Sequence, residues 1–214
     1  MLLTYLKKRL SPNNLSDTFK SIIAPSPEVL FKEKNSKFFG YAFPVSSEED
    51  VMNHLKQLRK AHQSAGHFCY AYQLGTEHVV FRANDDGEPS NAAGMPIFGQ
   101  LQSYGLTNIL VVVVRYFGGV KLGVGGLMLA YKTTAQLALD SAEIIEETIK
   151  VHFNLRFSYA MMGKIMRIVK EKNIQVQGQQ MELLCLMQIA VRKRDAVAVQ
   201  DQFRGFFGVV IDQI

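Results

Sequence analysis

Three clusters in this 214-residue chain have residue types and spacings that could do chemistry. The first is the turn Gly118-Gly119-Val120-Lys121-Leu122-Gly123-Val124-Gly125-Gly126, with five glycines in nine residues. It follows a run of valines and opens a helical stretch. Free N–H groups at a helix start, backed by the helix dipole, suit an anion. Arg115 and Lys121 bracket the turn with two cations. Arg115, Lys121, Gly118, Gly119, Gly123, Gly125 and Gly126 are therefore the candidate site for a phosphate or a nucleic-acid backbone. The spacing is neither that of a Walker loop nor that of a dinucleotide fingerprint. Tight packing of strand on helix, with no ligand, explains the glycines equally well.

The second cluster is Asn84-Asp85-Asp86-Gly87-Glu88-Pro89-Ser90, three carboxylates in four positions. Such a group could hold Mg²⁺ or move a proton. It lacks the oxygen spacing of a calcium loop. Carboxylates also build turns and helix caps, and that reading is favoured over a metal site. A third reading links this loop to Arg115 or Lys121 by an ion pair. The third cluster is His67 and Cys69. Residues two apart in a strand share a face, so a thiolate–imidazole pair is conceivable. No third orienting group is visible, and zinc needs more ligands. A satisfied histidine beside a small buried cysteine is the preferred reading. Tyr70, Tyr72, Tyr116, Phe117 and Tyr131 lie near these loops. They could stack on bases, but core packing is the commoner role of such a group.

The elements that must position these residues follow from periodicity. Val29–Lys32 and Lys37–Pro44 read as strands around an Asn35-Ser36 turn. Ser46 or Ser47 caps a helix whose apolar face is Val51, Leu55 and Leu58. Phe68–Gln73 and Val79–Arg82 read as a hairpin, Asn84–Gly94 as a loop and Ile97–Tyr104 as a short helix. Asn108–Phe117 is the strongest strand signal, and a helix runs from Gly126 to Ser141. Further on, Glu146–Phe157 reads as a strand, Tyr159–Lys172 as a helix, and Ile174–Gln177 and Met181–Val191 as strands around a turn at Gly178. Arg192–Phe203 then reads as a helix and Gly208–Ile211 as a last strand. That order, β-α-β-β-α-β, is the ferredoxin-like arrangement. The expected organisation is an extension over 1–16, a first domain over 17–145 and a second over 146–214. Leu2, Leu3, Tyr5, Leu6 and Leu10 in the extension suit a short amphipathic helix.

Composition narrows the class. Hydrophobic residues make up 48% and charged residues 20%, enough apolar material for a packed core. Cys69 and Cys185 are too few for a disulfide framework, which points to reduced thiols in a cytoplasm. The longest purely apolar run, Ile109–Val114, is far short of the ~20 residues of a membrane helix. The basic residues of the N-terminus follow its apolar ones, the reverse of a secretory signal. The net charge is +5, concentrated at the two ends of the chain. Arg192, Lys193, Arg194 and Arg204 dress one predicted helix; Lys164, Arg167, Lys170 and Lys172 dress another. Such a balance permits a polyanionic partner without requiring one.

Three blocks together resemble the YigZ/IMPACT family. They are Ala65-Gly66-His67-Phe68-Cys69-Tyr70-Ala71-Tyr72, Asp85-Asp86-Gly87-Glu88-Pro89-Ser90 and Val114-Arg115-Tyr116-Phe117-Gly118-Gly119-Val120-Lys121-Leu122-Gly123. The resemblance covers residues 18–145 and implies an α+β fold. The first domain should be like domain IV of elongation factor G and the second domain of a small-subunit ribosomal protein. The second should be like that factor's ferredoxin-like last domain. The resemblance also implies RNA or ribosome contact, or a translation-regulatory partner protein, as for eukaryotic relatives that act during amino-acid starvation. It brings no settled reaction and no cofactor. The chain departs from the family's usual Gly-Thr-Ala-Gly-Arg-Pro, reading Asn91-Ala92-Ala93-Gly94-Met95-Pro96. Leu129 stands where the family usually has an arginine in the following helix. Both changes remove a cation, so polyanion binding there should be weaker.

The leading expectation is a non-catalytic binding protein linked to translation. The alternative is an enzyme for an anionic small molecule, with Asp85, Asp86 and Glu88 as its machinery and the glycine turn holding phosphate. A protein-interaction module would show an exposed apolar patch.

Overall fold

The computed structural model describes residues 17–214, so the expected N-terminal helix lies outside the described residues. The chain divides into two units. One is Phe19–Glu147; the other is Thr148–Ile214 together with Asp17 and Thr18.

The first unit contains β1 (Thr18–Ile22), β2 (Val29–Glu33), β3 (Ser36–Pro44), α1 (Glu48–Ala61), β4 (His67–Leu74) and β5 (Val80–Asn84). It continues with α2 (Gly94–Tyr104), β6 (Ile109–Tyr116), α3 (Gly123–Asp140) and β7 (Ile144–Thr148). Five strands form an antiparallel sheet in the order β2-β3-β6-β4-β5, and β1 pairs with β7. Strand β6 lies at the centre and is buried on both faces. Ile109, Val111 and Val113 pack with Ile97 and Leu101 of α2 and with Ala130, Tyr131 and Ala135 of α3. Leu110, Val112 and Val114 face the other way, into a core with Val51, Leu55 and Leu58 of α1. A strand covered on both sides must be apolar at every position rather than at alternate ones. The unbroken run Ile109–Val114 is the result.

Helix α1 is fixed at its start by a reciprocal cap. Asp50 N–H donates to Ser47 Oγ at 3.1 Å, and Ser47 N–H donates to Asp50 Oδ2 at 3.0 Å. Such a pair satisfies two amides that the helix itself leaves open. Helix α3 begins at Gly123, three residues before the expected start at Gly126. Strand β1 lay outside every element expected from the sequence.

The second unit runs β8 (Lys150–Ser158), α4 (Met162–Glu171), β9 (Gln175–Gln180), β10 (Leu184–Arg192), α5 (Ala196–Arg204) and β11 (Val210–Gln213). The sheet order is β11-β8-β10-β9, the β-α-β-β-α-β plan expected from the sequence. Phe153, Leu155 and Phe157 of β8 pack with Ile165 and Ile168 of α4 and Val199 and Phe203 of α5. Two details differ from expectation. The stretch Glu146–Phe157 is two strands, β7 and β8. Ile149 between them gives its N–H to the Asp17 carbonyl at 2.6 Å and accepts from Lys193 N–H at 2.8 Å. Gly178 lies inside β9, not at a turn. It sits opposite Gln188, where the register with β10 slips, and a glycine inside a strand often marks such an irregularity.

Gly118, which follows β6, is required by space. A Cβ there would lie 2.1 Å from the Asn35 carbonyl carbon and 2.3 Å from the Ser36 nitrogen. Nothing lies within 4 Å of a Cβ at Gly125, in the first turn of α3. Gly118→Ala should therefore destabilise the first unit by about 3 kcal/mol or more. Gly125→Ala should be neutral or stabilising by up to ~1 kcal/mol. Urea denaturation midpoints of the two variants, moving in these different ways, check the assignment.

Candidate functional site

The acidic loop between β5 and α2 is a set of anchors. Asp85 Oδ1 accepts from the N–H groups of Ala93 and Gly94, at 3.0 and 2.8 Å, and Oδ2 accepts from Asn91 N–H at 2.9 Å. This supplies the start of α2 with the cap that Ala93, its own N-cap residue, lacks. Asp86 Oδ2 accepts from Phe68 N–H of β4 at 2.7 Å, while Oδ1 accepts from Arg59 Nη2 of α1 at 3.0 Å. The turn itself needs positive φ at Asp86 (41°) and Gly87 (88°). Pro89 then accepts at its carbonyl from Ala92 N–H at 2.9 Å. Of the readings open from the sequence, the cap-and-turn role describes Asp85 and Asp86.

Glu88 reaches into the protein, and its side chain is only 4% exposed. Its Oε1 accepts from Arg115 Nη1 at 2.6 Å and from Tyr131 Oη at 2.8 Å. His67 Nε2 lies 4.0 Å from the same oxygen. Arg115, expected as an anion-binding cation, is 5% exposed. Its guanidinium carbon lies 5.4 and 5.5 Å from the ring centres of Phe38 and Phe117. Its charge is thus neutralised inside the fold, which corrects its expected place in an open anion site. The ion pair between loop and strand that the sequence left open is the one that forms.

His67 and Cys69 share a strand face, and each is tied to the backbone of the acidic loop. His67 Nδ1 is 2.9 Å from the Asp86 carbonyl, which can only accept, so this nitrogen carries the proton. Cys69 Sγ donates to the Asp85 carbonyl at 3.0 Å. Burial pushes the Cys69 thiol well above its ordinary range; the Tyr131 hydrogen bond offsets part of this, and the carboxylates of Glu88, Asp86 and Asp85 add to it. Burial, with Cys69 and Glu88 alongside, raises the Tyr131 phenol too. A thiol held in its neutral form is a poor nucleophile. Among the described residues, no group of three or more His, Cys, Asp or Glu is placed to hold a metal ion.

The glycine turn itself is at the surface. Gly118 N–H is already used by Ser36 Oγ at 3.1 Å, a second departure from the expected anion site. Lys121, Gly119, Gly123 and Gly125 are exposed, and Gly126 is half-buried. Of the aromatic cluster, Tyr70, Tyr72 and Tyr131 are buried and Tyr116 is half-buried, while Phe117 is exposed. Beside the turn, α2 and α3 frame an open groove of about 790 Å³, lined by Met95, Pro96, Met128 and Leu129 with Asn91 and Lys132 at its margins. Phe117, Val120 and Val124, close by in sequence, are exposed apolar side chains as well, and with Met95, Met128 and Leu129 they are 44–63% exposed. Sequence reasoning missed this groove. Its signal was present at Met95 and Leu129, which read as two missing cations; the structure places both in one apolar lining.

The architecture defines the class: a two-unit α+β chain whose first unit is an antiparallel sheet locked by an acidic loop. The Impact N-terminal domain model matches residues 34–139. A Haemophilus influenzae IMPACT family member is 34% identical over 164 residues, 73% of this chain and 78% of its own length. The Bacillus subtilis IMPACT family member YvyE is 35% identical over 138 residues, and the match spans 64% of each chain. The crystal structure of a hypothetical protein superposes with a TM-score of 0.70 at 25% identity, covering 94% of this chain and 98% of that one. The chain belongs to the IMPACT family. No helix among the described residues is long and apolar enough to cross a membrane.

The buried pair makes a quantitative prediction. Glu88→Gln and Arg115→Met should each destabilise by about 3–5 kcal/mol, because each strands a buried charge. The double variant should lose less than the sum of the two by a coupling of about 1–3 kcal/mol. A double-mutant cycle by urea denaturation measures this; additive effects would show that the two groups do not act as a pair.

Proposed function

We propose that this chain is a non-catalytic binding protein acting in translation or its regulation, and that the α2–α3 groove receives an amphipathic helix of a protein partner. The observation that carries this reading is the groove's apolar lining. Exposed apolar surface gathered in one concave place is uncommon on a protein that works alone. Methionines make such a surface adaptable, because their side chains repack around different ligands. Met95 and Met128 lie here together with Leu129. Lys132 lines the groove as its cation, and Lys121 lies in the glycine turn just before α3. The chemistry that fits is a helix with apolar residues at i, i+3 and i+4, flanked by carboxylates.

The tie to translation comes from the family resemblance, which implies a translation-regulatory partner protein as for eukaryotic relatives. A cytoplasmic location goes with that role. RNA or ribosome contact through the glycine turn draws less support, since Arg115 and the Gly118 amide are both engaged internally. The enzymatic alternative loses its proposed machinery in the same way. Asp85 and Asp86 hold backbone amides, and Glu88 holds Arg115 and Tyr131.

The test is a photo-crosslinking residue at Met128 in growing cells. The expected result is an adduct with a component or regulator of the translation machinery. Met95→Arg with Leu129→Arg restores the family's usual residues. Those changes should weaken that adduct roughly thirtyfold, equivalent to about 2 kcal/mol at a hot spot. Both positions are exposed, so stability should move by no more than about 0.5 kcal/mol. No adduct, an adduct indifferent to the two arginines, or a partner unconnected to translation would each overturn the reading.

A further inference from the structure

A second concave surface lies on the opposite face of the five-stranded sheet, where α1 packs and α2 and α3 do not. Helix α1 covers β4 and β6 but stops short of the sheet edge at β5. A cleft of about 780 Å³ remains between them. Lys56, Arg59 and Lys60 line its helical wall, with Asn53, Gln63 and Asn84 adding amides. All the helical members of this set are exposed. Residues three and four apart on a helix are surface neighbours, about 5–6 Å between Cβ atoms, so Arg59 and Lys60 each lie beside Lys56 on the wall of the cleft. Arg82 extends the positive surface. It is exposed, and it pairs in register with Tyr72, which points to the α1 side.

The lining contains one carboxylate, Asp86, and Arg59 already engages it at 3.0 Å. Glu49 lies one turn before Asn53, towards the helix start, and Glu48 is engaged by Tyr72 Oη at 2.5 Å. The positive charge of Lys56 and Lys60 therefore faces the cleft without an acidic partner in its lining.

We propose that this α1–β5 cleft binds the sugar–phosphate backbone of a nucleic-acid strand. The cleft has the parts such a ligand needs, a cluster of cations and a set of amide hydrogen-bond donors. It lacks what a protein ligand would require. Its apolar lining is Met52 and the buried Leu55, with Tyr70 buried in its floor, and interface hot spots are built on apolar or aromatic anchors in pockets. No exposed aromatic ring stands in the lining to stack on a base. Recognition is therefore of the backbone and tolerant of sequence. The site is independent of the α2–α3 groove, and neither proposal needs the other.

A fluorescent oligouridylate titrated into the full chain between about 50 and 200 mM salt tests the site. The expected result is binding that weakens as salt rises. Lys56→Gln with Lys60→Gln should flatten the slope of log K against log salt by about 1.4, or about 0.7 for each phosphate of a single strand that is no longer neutralised. Lys56→Arg with Lys60→Arg should keep both affinity and slope. Lys164→Gln with Lys170→Gln on α4 should change neither. An unchanged circular-dichroism melt certifies that the variants are folded. Absence of salt-sensitive binding, a slope unmoved by the α1 pair, or an equal loss from the α4 pair would each overturn the proposal. So would competition by polyglutamate as strong as by unlabelled oligouridylate, because that would assign the cleft to an acidic protein segment.

Discussion

The fold of the first unit turns on a buried ion pair, Glu88 with Arg115, joined by the Tyr131 hydroxyl at the same carboxylate oxygen. Neither charge can stay buried without the other. The pair requires the loop after β5 to enter the protein at one place, between β6 and α3. Asp85 and Asp86 then reach α2, β4 and α1 from the same short segment. Three carboxylates thus tie together five elements spread from Glu48 to Asp140. A loop so committed has little left to offer a substrate, and a dense acidic motif that looks catalytic in one dimension is a fastening in three.

That fastening decides where charge is available to a partner. Arg115 and Arg59 are both drawn towards the acidic loop, Arg115 into the interior and Arg59 along the surface. What remains near the glycine turn is Lys121 and an apolar face. What remains beside α1 is Lys56 and Lys60 with amide side chains. The two surfaces differ in chemistry because one is lined by Met95, Pro96, Met128 and Leu129 and the other by Lys56, Arg59 and Lys60 with amide side chains. They occupy opposite faces of one sheet, so occupation of either leaves the other open.

Much of the fold was legible because its signals are local. Ser47 with Asp50 announces a helix start through capping chemistry. Six apolar residues in succession announce a strand covered on both faces. Alternation at Phe153, Leu155 and Phe157 announces a strand covered on one. The misread details are those settled by partners distant in the chain. Ile149 breaks a strand because Asp17 and Lys193 take its backbone groups. Gly178 looks like a turn residue and sits in a strand, opposite Gln188 where the register with β10 slips. Arg115 looks available until Glu88, 27 positions earlier, is brought onto it. A cation's exposure is a property of its tertiary neighbours and cannot be read from its own surroundings in sequence.

Met95 and Leu129 carry the same lesson in the other direction. Taken singly, each is a missing arginine where the family resemblance leads one to expect it, and the natural conclusion is a weakened anion site. Placed on α2 and α3, they become adjoining walls of one groove. Two large apolar side chains lining one cavity bear on what that cavity can hold. An arginine pair there would present hydrated charge to a ligand. A methionine and a leucine present surface that gains about 25 cal/mol for each Å² removed from water. Met95 and Leu129 lie outside the hydrogen-bonded set of Glu88, Arg115 and Tyr131, so these two side chains set the groove's surface separately from the network that holds the fold.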